Sequence, residues 1–175
     1  MLRVVTYAVE GWGVGELALL DERPVSHELP RATTAPGPDH LAHVEQLATW
    51  PGDALSRLLA RIYAFFRGER VTFTAQELSL DESAEEWGFS PFMASAALAL
   101  LEVPFGETVS YGELAYLAGR PRAARAAGSF CARNPLGLFI PCHRVISGNG
   151  SSGPYGSYGV EYKRRLLALE GHTRW

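Results

Sequence analysis

A cysteine, a histidine and an arginine stand side by side at Cys142, His143 and Arg144, directly after the apolar run Leu136 to Ile140 and Pro141. A thiolate is a strong side-chain nucleophile, and an imidazole titrates where a general base is useful near neutral pH. A short apolar run of this kind predicts a buried strand or an extended core segment, which delivers the three groups to the wall of the core. Side chains of neighbours in an extended segment point to opposite faces, so His143 is not expected to fold directly onto Cys142. Most buried cysteines are inert. The polar neighbours His143 and Arg144 argue instead for nucleophilic chemistry at Cys142.

The elements that position these residues belong to a chain of 175 residues, 47% hydrophobic and 20% charged, enough for a real core. No apolar run approaches the ~18 residues of a membrane span, and the N-terminus lacks the apolar region of a signal peptide. Two cysteines, Cys131 and Cys142, make no disulfide framework and suit a reducing, cytoplasmic setting. The five histidines show no metal-ligand spacing; His40 and His43 stand three apart but sit among polar loop signals. No metal or cofactor is expected. The net charge of −3 divides unevenly: residues 1–103 carry −8 and residues 104–175 carry +5. An acidic supporting half and a basic half that can meet phosphates fit this division.

Residues 3–9, 13–20 and 24–29 read as strands, followed by a proline-rich loop over 30–38. A helix is expected from an Asp53 cap, with Leu55, Leu58, Leu59, Ile62, Phe65 and Phe66 on one stripe and Gly68 ending it. Residues 71–75 read as an edge strand and 78–87 as an acidic connector, in a half without chemistry of its own. Ser90-Pro91 opens a second helix running to about Leu101. Ser110 and Glu113 form a capping box for a helix to Leu117, and Pro121 opens another from Arg122 to about Arg133. Such a pair is a helix-turn-helix. Its second helix carries Ala123, Ala124, Ala126, Ala127, Gly128 and Ser129 around Arg125, small enough to approach another surface closely. A Gly/Ser/Tyr-rich loop covers 147–159, and a last helix spans Val160 to Leu169. The fold class is α+β, with a boundary between a supporting domain, 1–87, and a domain carrying the chemistry, 88–175.

Pro141-Cys-His-Arg-Val145 with Asn134-Pro135 upstream resembles the active site of the O6-alkylguanine-DNA alkyltransferases, the methylated-DNA–protein-cysteine methyltransferases. Pro104-x-Gly-Glu-Thr-x-Ser-Tyr-Gly-x-Leu-Ala115, Ala124-Arg-Ala-x-Gly128 and Leu166-Leu-x-x-Glu-Gly171 follow in the family's order and spacing, so the resemblance covers roughly residues 90–171. It implies a ribonuclease-H-like first domain and a winged-helix-like second one. It implies single-turnover transfer of an alkyl group from guanine O6 in double-stranded DNA to Cys142, with His143 as base through a water and Glu170 orienting it. Tyr111 matches the residue that donates to the leaving guanine. Arg125 matches the finger that replaces a flipped base, on a minor-groove helix with Arg122, Ala124, Ala126 and Gly128. Val145, Ser157 and a loop tyrosine, Tyr155 or Tyr158, are expected around the base, and Asn134 and Arg144 brace the site. The protein is expected to act as a monomer.

The chain departs from the family pattern in three places. Phe92 is followed by Met93, and Ala96-Ala97 stand where a Val-Trp pair is usual. Phe130 occupies a position usually small, and faces either the protein or the DNA. The loop 153–159 is one residue longer, which leaves both Tyr155 and Tyr158 as candidates. The runner-up reading is an alkyltransferase-like protein that binds and flags O6-alkylguanine; such relatives lack the cysteine, which is present here. A thiol hydrolase with a Cys-His dyad is a third reading, for which no oxyanion hole is identifiable.

Overall fold

The computed structural model describes residues 1–32 and 54–174. His40, His43, the Asp53 cap and the proline-rich stretch beyond Ala32 lie outside the described residues. Three antiparallel strands open the chain, β1 Leu2–Val9, β2 Gly13–Leu20 and β3 Arg23–Arg31, in the order β1-β2-β3. Gly13 is at φ 112°, and a Cβ there would lie 2.2 Å from the Arg31 carbonyl oxygen, so only glycine fits beside β3. Asp21 and Glu22, both at positive φ, form the two-residue turn between Leu20 and Arg23. β3 runs two residues further than its apolar pattern predicts and includes Pro30.

The helices are α1 Ala54–Phe66, α2 Leu80–Glu86, α3 Pro91–Leu101, α4 Tyr111–Leu117, α5 Ala124–Arg133 and α6 Gly159–Leu169. α1 buries all six residues of its predicted stripe. The Ser90 hydroxyl caps α3 by accepting from the Met93 N–H at 3.3 Å. The capping box of α4 is complete: Ser110 accepts from the Glu113 N–H at 3.1 Å, and Glu113 accepts from the Ser110 N–H at 2.6 Å.

Four local expectations are corrected. Residues 71–75 form no strand: Val71 and Phe73 are buried alternately, but no ladder pairs their backbone. Period-2 burial reports which side chains face the core, and pairing needs a neighbouring strand as well. The acidic connector contains α2, where Asp81 and Glu82 in the first turn suit the positive end of the helix dipole. α5 begins at Ala124, two residues after Arg122. Leu136 to Ile140 is a turn, with Leu138 at φ 77°, rather than a strand.

Two short pairings bring the separate segments to one place. β4 (Val109–Ser110) lies parallel to β5 (Val145–Ile146), which sets the start of α4 beside the residues following Arg144. On the other side, His27 of β3 bridges to Leu136, and its N–H donates to the Pro135 carbonyl at 2.8 Å. The turn 134–142 is thereby held between the N-terminal sheet and the β4–α4 junction. One continuous apolar core joins these elements, from Tyr7 and Leu17 through Phe65 to Phe130 and Leu166.

Candidate active site

Cys142, His143 and Arg144 occupy a single 3₁₀ turn, and all three are buried. The extended segment expected here is therefore replaced by a tight turn. Its chemistry is organised by α6, whose C-terminal cap, Glu170, reaches back to it. Glu170 accepts from His143 Nε2 at 2.6 Å, from Arg144 Nε at 3.0 Å and from the Gly106 N–H at 2.8 Å. Arg144 is fixed further by donating to the Val103 carbonyl at 2.7 Å. Burial alone raises a carboxylic acid, but His143 and Arg144 outweigh it and hold Glu170 down at about 2. Burial also pushes the His143 imidazole below its usual value, against the pull of Glu170. Near neutral pH the turn thus holds a neutral imidazole beside a carboxylate–guanidinium pair. With the Nε2 proton donated to Glu170, the basic nitrogen is Nδ1, which is buried and has no hydrogen-bond partner among the described residues.

The Cys142 thiol touches Asn134 Nδ2 at 3.2 Å and the Tyr155 hydroxyl at 3.8 Å. Burial raises its pKa, while Asn134, Tyr155 and Lys163 oppose the rise. At rest it is a thiol, and it needs a base to become a nucleophile. Asn134 also donates to the Ile140 carbonyl at 2.8 Å and accepts from the Leu136 N–H at 3.1 Å. One amide therefore ties both ends of the turn to the sulfur.

A cavity of about 330 Å³ opens against Cys142, walled by Cys131, Asn134, Tyr155, Ser157 and Tyr158 on one side and Ser26 to Leu29 of β3 on the other. A larger cavity of about 540 Å³, between the β1–β2 turn and α6, contains neither cysteine nor histidine and lies away from this chemistry. The two loop tyrosines separate by position. Tyr155 is buried with its hydroxyl at the thiol, whereas the Tyr158 hydroxyl donates to Glu28 at 2.7 Å and accepts from the Leu29 N–H at 2.9 Å. Val145 does not line this cavity; its side chain is in the core and its carbonyl accepts from the Lys163 ammonium.

The family model described as the DNA-binding domain of 6-O-methylguanine DNA methyltransferase matches residues 91–172. A methylated-DNA–protein-cysteine methyltransferase of Mycolicibacterium paratuberculosis is 33% identical over 167 residues, 95% of this chain and 93% of that protein. Its counterpart from Mycobacterium leprae is 40% identical over 119 residues, 68% of this chain and 67% of that one. The crystal structure of Mycobacterium tuberculosis O6-methylguanine methyltransferase superimposes with a TM-score of 0.68 at 29% identity, covering 97% of this chain and 93% of that one. The chain belongs to the methylated-DNA–protein-cysteine methyltransferase family. A structure of the tuberculosis protein in complex with DNA is equally similar, with a TM-score of 0.67 over 95% of this chain and 91% of that one.

The methyltransferase residues expected to meet DNA stand on α4, α5 and the turn between them. Arg122 and Arg125 are exposed and their guanidinium groups make no hydrogen bond or ion pair to the described residues, while Ala124, Ala126 and Gly128 are half-buried. Gly128 packs beside Tyr111, whose ring carbons lie 4.0 Å from where a Cβ would stand, an ordinary van der Waals contact. Burial, with the Cys131 and Cys142 thiols nearby, pushes the Tyr111 hydroxyl up to about 12, so it stays protonated and able to donate. Phe130 faces the protein: it is fully buried, edge-on to Phe89 at 5.7 Å, while Ala96 and Ala97 are fully buried on α3.

Three residues of the site were not anticipated from sequence. Lys163 is buried, lies 5.9 Å from both the Tyr111 and Tyr155 rings, and is lowered to about 8 by burial, with the two cysteines opposing. Its signal is its place on the buried stripe of α6 with Tyr162, Leu166 and Leu167, where a charged residue is out of character. Cys131 lines the cavity from α5. His27 lines it from β3, at an inward position two residues before Leu29, so the N-terminal half is not free of the site.

Proposed function

We propose that the protein repairs DNA by transferring an alkyl group, typically methyl, from O6 of guanine in double-stranded DNA onto Cys142, once per molecule. The observation that carries this reading is the connected series Arg144, Glu170 and His143 beside a buried thiol that opens onto a cavity. His143 Nδ1 takes the Cys142 proton through an intervening water, and Glu170 stabilises the imidazolium that forms. The thiolate attacks the alkyl carbon; the carbon–O6 bond breaks and its electrons pass into the guanine ring. Tyr111 gives a proton or hydrogen bond to the ring nitrogen that gains charge. The product on Cys142 is a thioether, which has no path back to the thiol. No cofactor takes part.

A base within a duplex cannot reach a buried thiol, so the nucleotide is flipped out. α5 enters the minor groove, where readout is degenerate and suits a protein that scans all sequences. Arg125 fills the vacated place in the stack, and Arg122 with the small residues Ala124, Ala126 and Gly128 allows close approach. Tyr155, Ser157 and Tyr158 enclose the flipped base. We read the chain as a ribonuclease-H-like unit, 1–87, and a winged helix-turn-helix unit, 88–175, acting as a monomer in the cytoplasm. Incubation with a duplex carrying one O6-methylguanine should add one methyl mass per protein, saturating at one, and Cys142→Ala should add none. Tight binding of that duplex with no mass change would overturn the transfer reading.

A further inference from the structure

His27 of β3 is nearly fully buried, and both of its ring nitrogens are engaged. Nδ1 lies 2.6 Å from the Gly137 carbonyl oxygen. A carbonyl can only accept, so Nδ1 carries the proton. Nε2 of the neutral ring is then an acceptor, and the Tyr7 hydroxyl, 2.5 Å away, donates to it. Burial pushes the ring down to about 4, which keeps it in this neutral form at working pH. The Gly137 carbonyl therefore fixes the tautomer, and the tautomer makes Nε2 the acceptor for Tyr7.

Gly137 belongs to the turn that carries Cys142. The next residue, Leu138, sits in the left-handed region at φ 77°. A branched side chain is strained there and persists only where surroundings over-determine the turn. Two anchors do so. Asn134 holds the turn from within and touches the sulfur itself. His27 holds it from the N-terminal sheet, through its backbone to Pro135, its ring to Gly137 and an edge contact with Phe139 at 4.8 Å.

We propose that Tyr7 and His27 are positioning residues for the transfer reaction, a strut by which the N-terminal sheet sets the turn bearing Asn134 and Cys142. This rests on the alkyl-transfer reading above. A reacting centre displaced by about an ångström loses up to roughly a hundredfold in rate. The strut thus acts on the transfer step, leaving the DNA-facing surface of α5 untouched.

The test pairs single-turnover transfer from an O6-methylguanine duplex with two-bond ¹H–¹⁵N spectra of the histidine-labelled full chain. His27→Phe keeps a ring and deletes both bonds; its maximal transfer rate should fall at least about tenfold, with DNA affinity within about twofold. His27→Asn places an amide nitrogen where Nδ1 stood and should recover most of that loss. Tyr7→Phe removes the donor to Nε2 and should slow transfer, with the proton still held at Nδ1 by the Gly137 carbonyl. The wild-type spectrum should show His27 protonated at Nδ1. Protonation at Nε2, a His27→Phe variant as fast as wild type, or an Asn variant as slow as Phe would overturn the strut. If the wild-type protein moves no methyl group, the alkyl-transfer reading falls, while the spectrum still decides whether the strut exists.

Discussion

His143 is fully buried and His27 nearly so, on opposite sides of the same turn, and burial lowers both imidazoles. His143 commits one nitrogen to Glu170 and leaves Nδ1 without a partner among the described residues. His27 commits both, to Tyr7 and Gly137, and among the described residues no carboxylate bonds to it. A proton reaching His143 Nδ1 is stabilised by a carboxylate already in place; a proton reaching His27 would meet only neutral groups. The same side chain at similar burial is thus a base in one setting and a strut in the other. What decides is how many nitrogens are spent and what charge stands behind them.

The largest effect expected from this contrast is on the transfer step. His143→Gln should slow single-turnover transfer by about 10²–10⁴-fold, the usual reach of a positioned acid–base group, with duplex binding retained. A variant transferring at the wild-type rate would show that another group, Lys163 foremost, deprotonates Cys142. Glu170→Ala should destabilise the fold as well, by about 3–5 kcal/mol in urea unfolding, because it strands a buried guanidinium. Among the described residues the Arg144 guanidinium then keeps its bond to Val103 and its approach to the Phe105 ring.

Acidification separates the two histidines next. His27 has a folded pKa of about 4 against a usual 6.5, so between these values the unfolded chain binds more protons. Its contribution is full above pH 6.5 and is lost as pH falls toward 4, about 3 kcal/mol over that window. Glu170 acts at lower pH: lowered to about 2, its contribution is present above about 4.5 and disappears below. Urea unfolding at pH 7.5, 5.5 and 4.5 should therefore weaken stepwise, and His27→Asn should flatten the step between 6.5 and 4.5. An unchanged slope in that variant would assign the step to His143 alone.

The legibility of the two regions follows the range of their interactions. Cys142, His143 and Arg144 stand out because three reactive residue types lie side by side, whereas Asn134 and Tyr111 enter only through the family resemblance, and the caps at Ser90 and Ser110 follow local rules. The strand expected at 71–75 failed because Val71 and Phe73 alternate into the core with no partner strand among the described residues. Leu136 to Ile140 failed because an apolar run does not reveal a positive φ at Leu138. His27 was silent for a different reason: its partners Pro135 and Gly137 are over a hundred residues away, and strand alternation says only that it points inward. Lys163 did leave a trace, a cation on an apolar helical stripe, which is a recognisable anomaly.

The smallest and most discriminating effect lies at the cavity rim, where Tyr155 and Tyr158 are three residues apart and differently employed. Tyr158 joins the loop to β3 through Glu28 and Leu29, at a partly exposed site where water can replace a lost hydroxyl. Tyr158→Phe should therefore cost about 1 kcal/mol in unfolding and little in transfer rate. The Tyr155 hydroxyl meets the Cys142 sulfur and opposes the rise in its pKa. Tyr155→Phe should leave stability nearly unchanged and slow transfer several-fold. Its thiol should also react with a neutral alkylating reagent only at higher pH than in the wild type, since the thiolate loses a hydrogen bond. If the two substitutions act alike, the loop is a single wall. If they divide as stated, Tyr155 belongs with His143 on the reactive side of the turn and Tyr158 with His27 on the side that holds it.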